Sequence, residues 1–492
     1  MKLNILAGAA LAALAVHAPA LAQRAPSAHV RCDGHPDNVS AGETAARLIG
    51  AVTLLGIFAP PQEQANASLR LAGAEGVTIC GQALAGESND LRRAQLILAT
   101  AVHHIEASQF DQAIAEARRA ETDRPPFAAT APFQRSLRLG AMEIEALALI
   151  GAGRIEEGRA KAFEMAAAAP YDIVTQLRAT RLIRLTPAYG EPERRFYDNL
   201  VRVYPATLLE RSLARQMGGD FAGAAADYDL WLQLERSVLP RPGMASLAQA
   251  ALAHAVAGNV ARAEELAAEA RTALQSEPTS TSAPAASEIL DLYQIWKNAR
   301  DGRAGDARLL FGSRTSWLRP SAPVVAEVAR LLQQGAEPGQ LIGSLAGDPA
   351  RFRTELFDRR KREVLEGKDR FAAIRPFYAQ AAYDRFAANV WRSGRSRYFV
   401  REDNERMKAR MISVGRDGIG APANYALLLH AALTAQAEGK SSFMMLPLQA
   451  NTASGWVRFG NAGDERLLAP LSFDTARVIA DLEPVIPRPA RR

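Results

Sequence analysis

Cysteine, lysine and aromatic residues are scarce in this chain of 492 residues. It has two cysteines and seven lysines, and aromatic residues make up 7% of the total. Beyond the N-terminus no apolar run is long enough to span a bilayer, since the most apolar stretch, Ala45 to Pro60, is short and contains Arg47. The net charge of +6 is too small to indicate a nucleic-acid-binding protein. With 48% hydrophobic residues, the composition predicts ordered globular structure in two or three domains.

Catalytic signatures are also missing from the sequence. The arrangements Ser-x-x-Lys, Gly-x-Ser-x-Gly and His-Glu-x-x-His do not occur. His103 and His104 are adjacent, so on a helix they point about 100° apart and cannot chelate one metal ion. His254 and His430 stand alone on Ala- and Leu-rich stretches, as packing histidines do. We therefore expect no enzyme, no cofactor and no metal site; an active site assembled from scattered residues is the alternative.

The N-terminus has the three parts of a secretory signal peptide. Lys2 is followed by the apolar run Ile5 to Val16 and then by the small residues Ala20 to Ala22. We expect a signal peptide over residues 1–22, cleaved after Ala22. Because Gln23 follows in place of a cysteine, lipid attachment is not expected. The sequence predicts an exported, soluble, periplasmic protein.

Both cysteines, Cys32 and Cys80, lie in residues 23–90, which we interpret as a helical N-terminal cap. The oxidising compartment favours a disulfide between them, with two free thiols as the alternative. Closing this loop would stabilise the fold by roughly 4 kcal/mol on the chain-entropy model. A metal site is disfavoured, because only His29 and His35 lie near Cys32 in sequence. Within the cap, the apolar run Ala45 to Phe58 predicts a helix that ends before two prolines.

A pattern of small and apolar residues recurs from about residue 91. A small turn residue is followed two positions later by an apolar residue, then by small residues at intervals of three, four and three. The positions are Ser108, Phe110, Ala113, Ala117 and Ala120 in the first copy; Gly153, Ile155, Gly158, Ala162 and Met165 in the second; Gly219, Phe221 and Ala224 in the third; Gly258, Val260 and Ala263 in the fourth; and Gly302, Ala304 and Ala307 in a degraded fifth.

This spacing predicts pairs of antiparallel helices, because Ala or Gly at the contact lets two helices approach closely and Gly permits the tight turn between them. The pattern resembles the tetratricopeptide repeat over roughly residues 91–320. That resemblance implies an α-solenoid with a concave groove suited to extended peptides. The copies depart from the family in period, since the turn residues are 45, 66, 39 and 44 residues apart. An irregular Ala-rich helical bundle is the alternative.

Strand patterns occur only near the C-terminus. Helices are expected over 324–334 and 351–366, within a helical segment of residues 321–400. Beyond it, we predict a small α+β domain at 401–485 and a basic tail at 486–492. Its expected elements are strands at Lys408 to Val414, Ser442 to Leu448 and Gly455 to Phe459, with a helix at Tyr425 to Ala437 between the first two.

The run Asn424 to Ala432, Gly439 and the strand Phe443 to Leu446 resemble a small α+β module of Gram-negative envelope lipoproteins. The resemblance covers about 50 residues and implies a structural module without assigned chemistry. The fold class that we predict is therefore mainly α: a solenoid like the tetratricopeptide repeat, with a disulfide-stapled helical cap and a small α+β C-terminal domain.

Positive charge is concentrated in residues 351–416, where 18 Lys and Arg stand against 9 Asp and Glu. Ten aromatic residues, including Tyr383 and Trp391, are interleaved with the charges, and we expect some to be exposed. Guanidinium groups beside aromatic faces suit phosphate or carboxylate partners. The candidate contacts are Arg359, Arg360, Lys361, Arg362, Arg392, Arg395 and Arg397. A solvated face that pairs with acidic helices of the same chain is the other interpretation.

Two functions follow as hypotheses. The first is an exported helical-repeat scaffold that mediates protein–protein interaction in the periplasm or cell envelope, with an unknown protein or extended peptide as partner. The alternative is a binder of anionic envelope polymer or lipid headgroups through residues 351–416. Strongly salt-dependent binding would favour the second.

Overall fold

The computed structural model describes residues 25–37, 63–314, 316–317, 322–367, 370–374, 380–391, 407–415, 421–446 and 454–488. The expected signal peptide at 1–22 and the expected helix at 45–58 lie outside these residues. Within the described part, the chain is mainly helical, with twenty α-helices and four short β-strands. It divides into two compact units, Met1–Phe127 and Ala128–Arg492. The finer domain boundaries expected from sequence stay predictions.

The first unit is built around a disulfide. Its helices are α1 (Ala28–Asp33), α2 (Gly73–Ala85), α3 (Asp90–Glu106) and α4 (Phe110–Thr122). Cys32 and Cys80 are fully buried and bonded to each other, which confirms the prediction and joins α1 to α2. The buried His103 of α3 donates from Nε2 to the carbonyl oxygen of Cys32 at 2.8 Å. The disulfide therefore lies at the contact of three helices.

The second unit continues the alternation of helices and short turns. A four-residue helix, α5 (Pro125–Ala128), lies at the boundary. The following helices are α6 (Arg138–Gly151), α7 (Ile155–Ala168), α8 (Ile173–Ile183), α9 (Glu191–Val203), α10 (Leu208–Met217), α11 (Phe221–Val238), α12 (Met244–Val256), α13 (Val260–Ser276), α14 (Ala283–Arg300), α15 (Ala304–Ser313), α16 (Ala322–Gln333), α17 (Arg351–Leu365) and α18 (Gln380–Val390).

Each turn residue of the repeat pattern adopts a left-handed backbone conformation. The φ angles are +82° at Gly153, +86° at Gly219, +88° at Gly258 and +82° at Gly302, and Ser108 has φ +57°. A Cβ added at any of these four glycines would meet no atom within 4 Å. Glycine is therefore favoured there by the backbone conformation and not by lack of space.

The small residues of the pattern lie where paired helices touch. Ala113, Ala224 and Ala263 are fully buried. At Gly158 an added Cβ would come within 2.7 Å of a side-chain carbon of Ile150, so α6 and α7 approach too closely for any side chain. Helix pairs that pack in this way are α3 with α4, α6 with α7, α10 with α11, and α12 with α13. The arrangement is compatible with a helical repeat.

The remaining pattern positions are less uniform in burial. Ala120 is buried, at 4% exposure. Phe110, Ile155, Phe221 and Val260, each at the start of its helix, are half-buried. These apolar residues lie at the edge of the helix contact, whereas the small residues form its centre.

A four-stranded antiparallel sheet occupies the C-terminal part of the second unit. Its strands are β1 (Arg410–Ser413), β2 (Ser442–Met445), β3 (Ser454–Gly460) and β4 (Phe473–Asp474), in the order β1-β3-β2-β4. The helices α19 (Ala421–Ala437) and α20 (Thr475–Leu482) complete this region. The expected β-α-β-β order is present, and β4 and α20 extend it.

The sheet and α19 share one hydrophobic core. Phe443 of β2 stacks on Phe473 of β4 with ring centroids 5.1 Å apart. Most residues of α19 are buried, and they lie on every side of the helix, because α18, α20 and the sheet all pack against it. No helix in the described ranges combines the length and apolar character that a membrane span requires.

Candidate anion-binding site

Arginines from two other helices donate hydrogen bonds to the C-terminal end of α8. At its start, the carboxylate of Asp172 accepts hydrogen bonds from the first turn. At its end, Arg159 of α7 donates from Nε to the carbonyl of Ile183 at 2.9 Å, and Arg360 of α17 donates from Nη1 to the carbonyl of Arg184 at 3.0 Å. Carbonyl groups in the last turn of a helix have no partner within the helix. The two guanidinium groups supply those partners.

A cavity of about 360 Å³ lies beside this helix end, between α6, α8 and α17. Five arginines and two glutamates line it, which gives a formal charge of +3. The charged lining residues are Arg178, Arg181, Arg184, Arg360, Arg370, Glu143 and Glu363. We call this the arginine cavity. Leu147, Leu182 and Val364 contribute apolar wall.

The acidic residues nearby compensate only part of this charge. Arg178 donates from Nη1 to Glu143 at 2.9 Å, and the Nη1 atom of Arg184 lies 3.2 Å from Glu210. The Nε atom of Arg184 is buried and has no hydrogen-bond partner in the described part of the chain. Arg181 is exposed. Arg181 therefore offers guanidinium N–H groups to an anion at the cavity.

The electrostatics of the cavity are most visible at Arg360. Its residue surface is 7% exposed. Burial, reinforced by the positive charge of Arg184, lowers the pKa of Arg360 to about 10. The side chain remains cationic at neutral pH, and the carboxylates of Glu210 and Glu363 offset part of the repulsion between the two guanidinium groups. An anion bound in the cavity would relieve that repulsion.

The structure corrects the expected surface at residues 359–362. Arg360 is not exposed, because it is buried and its guanidinium donates to the carbonyl oxygen of Arg184 at the end of α8. Arg359 and Lys361 are half-buried and Arg362 is exposed, and none of these three lines the cavity. The further candidates Arg392, Arg395 and Arg397 lie outside the described residues.

Some aromatic residues of the same segment were expected to be exposed, but several of those that the structure describes are buried. Phe371, Tyr383 and Phe386 are all at most 9% exposed. Tyr383 and Phe386 belong to the core formed with α19. The segment is not a thin, isolated helix, because α18 packs on α19 and buries its aromatic side chains there.

Sequence reasoning missed the contribution of α8. Arg178, Arg181 and Arg184 are spaced three residues apart, which places them along one side of the helix end. The spacing was a usable signal. The surrounding sequence has no strong excess of positive charge. A count of charged residues, which identified residues 351–416, therefore does not identify these three arginines.

A second concave feature in this unit is apolar. A groove of about 330 Å³ between α7 and α9 is lined by Phe163, Ala167, Pro170, Pro192 and Phe196, among others. The rings of Phe163 and Phe196 meet edge to face, with centroids 6.0 Å apart. This apolar groove could hold an apolar side chain of a peptide.

No protein-family model, no curated protein and no solved structure matches this chain. The likeness to the tetratricopeptide repeat and to the lipoprotein module is therefore unconfirmed.

Proposed function

We propose that this protein is an exported, periplasmic helical-repeat protein that binds the anionic group of an envelope polymer or lipid headgroup in the arginine cavity. The bound group is a phosphate or a carboxylate. The supporting observation is the lining of the cavity, in which five arginines stand against two glutamates and Arg181 is exposed to an incoming anion. The role is binding and not catalysis.

Guanidinium chemistry explains why this cavity suits such a group. Arginine presents its donors in a planar fork that matches two oxygen atoms of a phosphate or carboxylate. Charge-assisted hydrogen bonds of this kind contribute about 1.5–3 kcal/mol each. Since Arg181 is exposed at the rim, it can contact the anion without any change in the core.

The direct test compares Arg181→Gln with a matched control, Arg194→Gln. Both replace one exposed arginine on a helix of the second unit, but Arg194 pairs with Glu191 and does not line the cavity. Binding is measured to vesicles with anionic headgroups, to a soluble anionic polymer and to inorganic phosphate. We expect Arg181→Gln to weaken binding by about 10-fold or more and Arg194→Gln to leave it unchanged.

The three probes separate the sources of the anion. Retention on vesicles alone indicates a lipid headgroup, whereas binding of the soluble polymer indicates an envelope polymer. Binding should weaken as ionic strength rises, because salt screens the attraction. Equal binding by the wild type and by Arg181→Gln at low salt would contradict the proposal.

The apolar groove supports a second candidate function, a scaffold for protein interaction. In this interpretation the paired helices stack as a solenoid like the tetratricopeptide repeat, and Phe163 and Phe196 receive an apolar side chain of an extended peptide. Ala167→Glu would fill the groove with a charge, and the exposed neighbour Ala168→Glu is the control, since Ala168 does not line it. A partner recovered by the wild type and by Ala168→Glu, but not by Ala167→Glu, would support this function.

A further inference from the structure

Three potential metal ligands meet in the first unit. They are His29 on α1, Asp37 in the segment after α1, and Glu87 two residues beyond the end of α2. One ligand atom from each lies within 4.8 Å of the other two. The three positions are 8 and 50 residues apart in sequence, so only the fold brings them together.

The contact between His29 and Glu87 is not an ordinary hydrogen bond. The Nε2 atom of His29 and the Oε2 atom of Glu87 are 3.4 Å apart, and their side chains are only 15% and 5% exposed. Both atoms are shielded from solvent and neither has a hydrogen-bond partner within the described residues. His103, by contrast, lies 2.8 Å from Glu106. Buried polar atoms without partners are costly unless a ligand satisfies them.

The separation of 3.4 Å fits a bridging metal ion. Ligand atoms about 2.0–2.2 Å from a tetrahedral zinc ion lie about 3.4 Å from each other. We propose that His29, Asp37 and Glu87 bind one divalent transition-metal ion, with zinc as the favoured occupant. A neutral imidazole with two carboxylates neutralises a double positive charge, and the imidazole favours zinc over calcium or magnesium. Three protein ligands leave a fourth position for water or another ligand.

The elements that carry the ligands are held in place by contacts outside the cluster. The disulfide joins α1 to α2, and His29 lies on the same face of α1 as Cys32. The second carboxylate oxygen of Glu87 accepts the backbone N–H of Asn89 at 2.7 Å. Such contacts orient a ligand before the metal binds.

The segment that ends at Asp37 is fixed by a buried ion pair. Arg92 donates to Asp33 at 2.8 Å and to the carbonyl of His35 at 2.9 Å. The backbone N–H of His35 donates in turn to Asp33 at 3.0 Å. Asp37 itself is exposed, so its side chain can turn toward the other two ligands. The positive charge of Arg92 is paired with Asp33 and does not compete for Glu87.

The test is metal binding by the whole chain, oxidised and without an affinity tag. After treatment with a chelator, zinc is titrated against a chromophoric competitor, and cobalt is added as a spectroscopic probe. We expect one zinc ion per chain and visible ligand-field bands from cobalt. His29→Gln and Glu87→Gln should each weaken binding by at least about 100-fold, because loss of a residue that only hydrogen-bonds a metal ligand already costs about 10–100-fold.

Two further variants keep the test decisive. Asp37→Asn removes a proposed carboxylate ligand and should weaken zinc binding. Because Asp37 is exposed and outside any helix, the circular dichroism spectrum should be unchanged. His104→Gln is the control. It removes a histidine of the same unit whose side chain contacts Gln109 and not the proposed ligands, so this variant should bind zinc as the wild type does. The proposal is overturned if the wild type binds no zinc, or if Asp37→Asn and His29→Gln bind it as tightly as the wild type.

Discussion

At the scale of single residues, arginine carries most of the buried positive charge in the described part of the chain. In the second unit Arg159 lies 2.5 Å from Glu193, and Arg211 donates from Nη2 to Asp227 at 2.6 Å. In both pairs the two side chains are less than a tenth exposed. A guanidinium group can satisfy a buried carboxylate with two N–H groups at once, which a lysine cannot do. The small number of lysines in the sequence therefore agrees with the use of arginine in these buried ion pairs.

Removing the contact between Arg360 and the end of α8 should lower the stability of the fold. Arg360→Gln leaves the partly buried carbonyl of Arg184 without its donor, so we expect a loss of about 1–3 kcal/mol in the free energy of unfolding. Urea denaturation measures this loss. Arg362→Gln is the control on the same helix, since Arg362 is exposed and its loss should change stability by less than about 0.5 kcal/mol. Equal effects from both variants would place Arg360 at the surface.

A buried histidine makes stability depend on pH. His430 on α19 donates from Nδ1 to the carbonyl of Val390 at 3.1 Å, and burial lowers its pKa below the ordinary value. The unfolded chain, with a histidine pKa of about 6.5, therefore binds more protons than the folded chain near that pH. The free energy of unfolding should fall as the pH drops through about 6.5.

His430→Asn tests this assignment, because asparagine keeps an N–H donor for Val390 but does not titrate. Urea denaturation from about pH 7.5 to about pH 5.5 should show a larger loss of stability in the wild type than in the variant. If the two proteins lose stability in parallel, other groups cause the pH dependence.

At the scale of elements, the repeat spacing located the helix pairs and their turns. The helix expected at 351–366 is observed as α17, and the one expected at 324–334 as α16. The shortest elements escaped prediction. Strand β4 has only two residues, too few for an alternating pattern, and its place in the sheet depends on pairing with β2. Backbone pairing across the sheet, and not local preference, creates such a strand.

The helix contacts predict that added volume is destabilising. Ala113→Leu and Ala224→Leu would each place a larger side chain where the alanine is fully buried, at a cost of about 1–3 kcal/mol. Ala115 and Ala226 are exposed on the same two helices, so Ala115→Leu and Ala226→Leu should be nearly neutral. Thermal denaturation compares the four variants. Unchanged melting temperatures for all four would show that the helix register is wrong.

At the scale of the whole molecule, the disulfide is a cross-link within the first unit. It closes a loop with a sequence separation of 48 residues. Replacing both cysteines, as Cys32→Ala with Cys80→Ala, should lower the free energy of unfolding by roughly 4 kcal/mol on the chain-entropy model. Denaturation of the wild type with the disulfide intact, compared with denaturation after reduction, measures the same quantity. Alkylation of both thiols in the absence of reductant would contradict the disulfide.

The disulfide also fits an exported protein, because such bonds persist in oxidising compartments. The supposed periplasmic location stays a prediction that fractionation of cells can test. Localisation matters for both proposals, since anionic envelope polymers and free divalent metal ions are accessible to an exported chain.

The sequence by itself determined the local features of this protein. Hydrophobic periodicity and small-residue spacing identified helices, and the glycines marked turns where left-handed backbone is needed, because both signals act over a few residues. Two cysteines allow only one pairing, and the expected export favoured a disulfide between Cys32 and Cys80 over two free thiols. These inferences required no knowledge of how distant segments meet.

Only the tertiary structure decided which side chains form a site. The charge count found residues 351–416, but the orientation of α17 selected Arg360 from four consecutive basic residues and placed it beside Arg184. His29, Asp37 and Glu87 carry no sequence signal as a set, because their spacing matches no metal-binding pattern. Burial and proximity depend on contacts between residues far apart in the chain, and a single sequence does not specify those contacts locally.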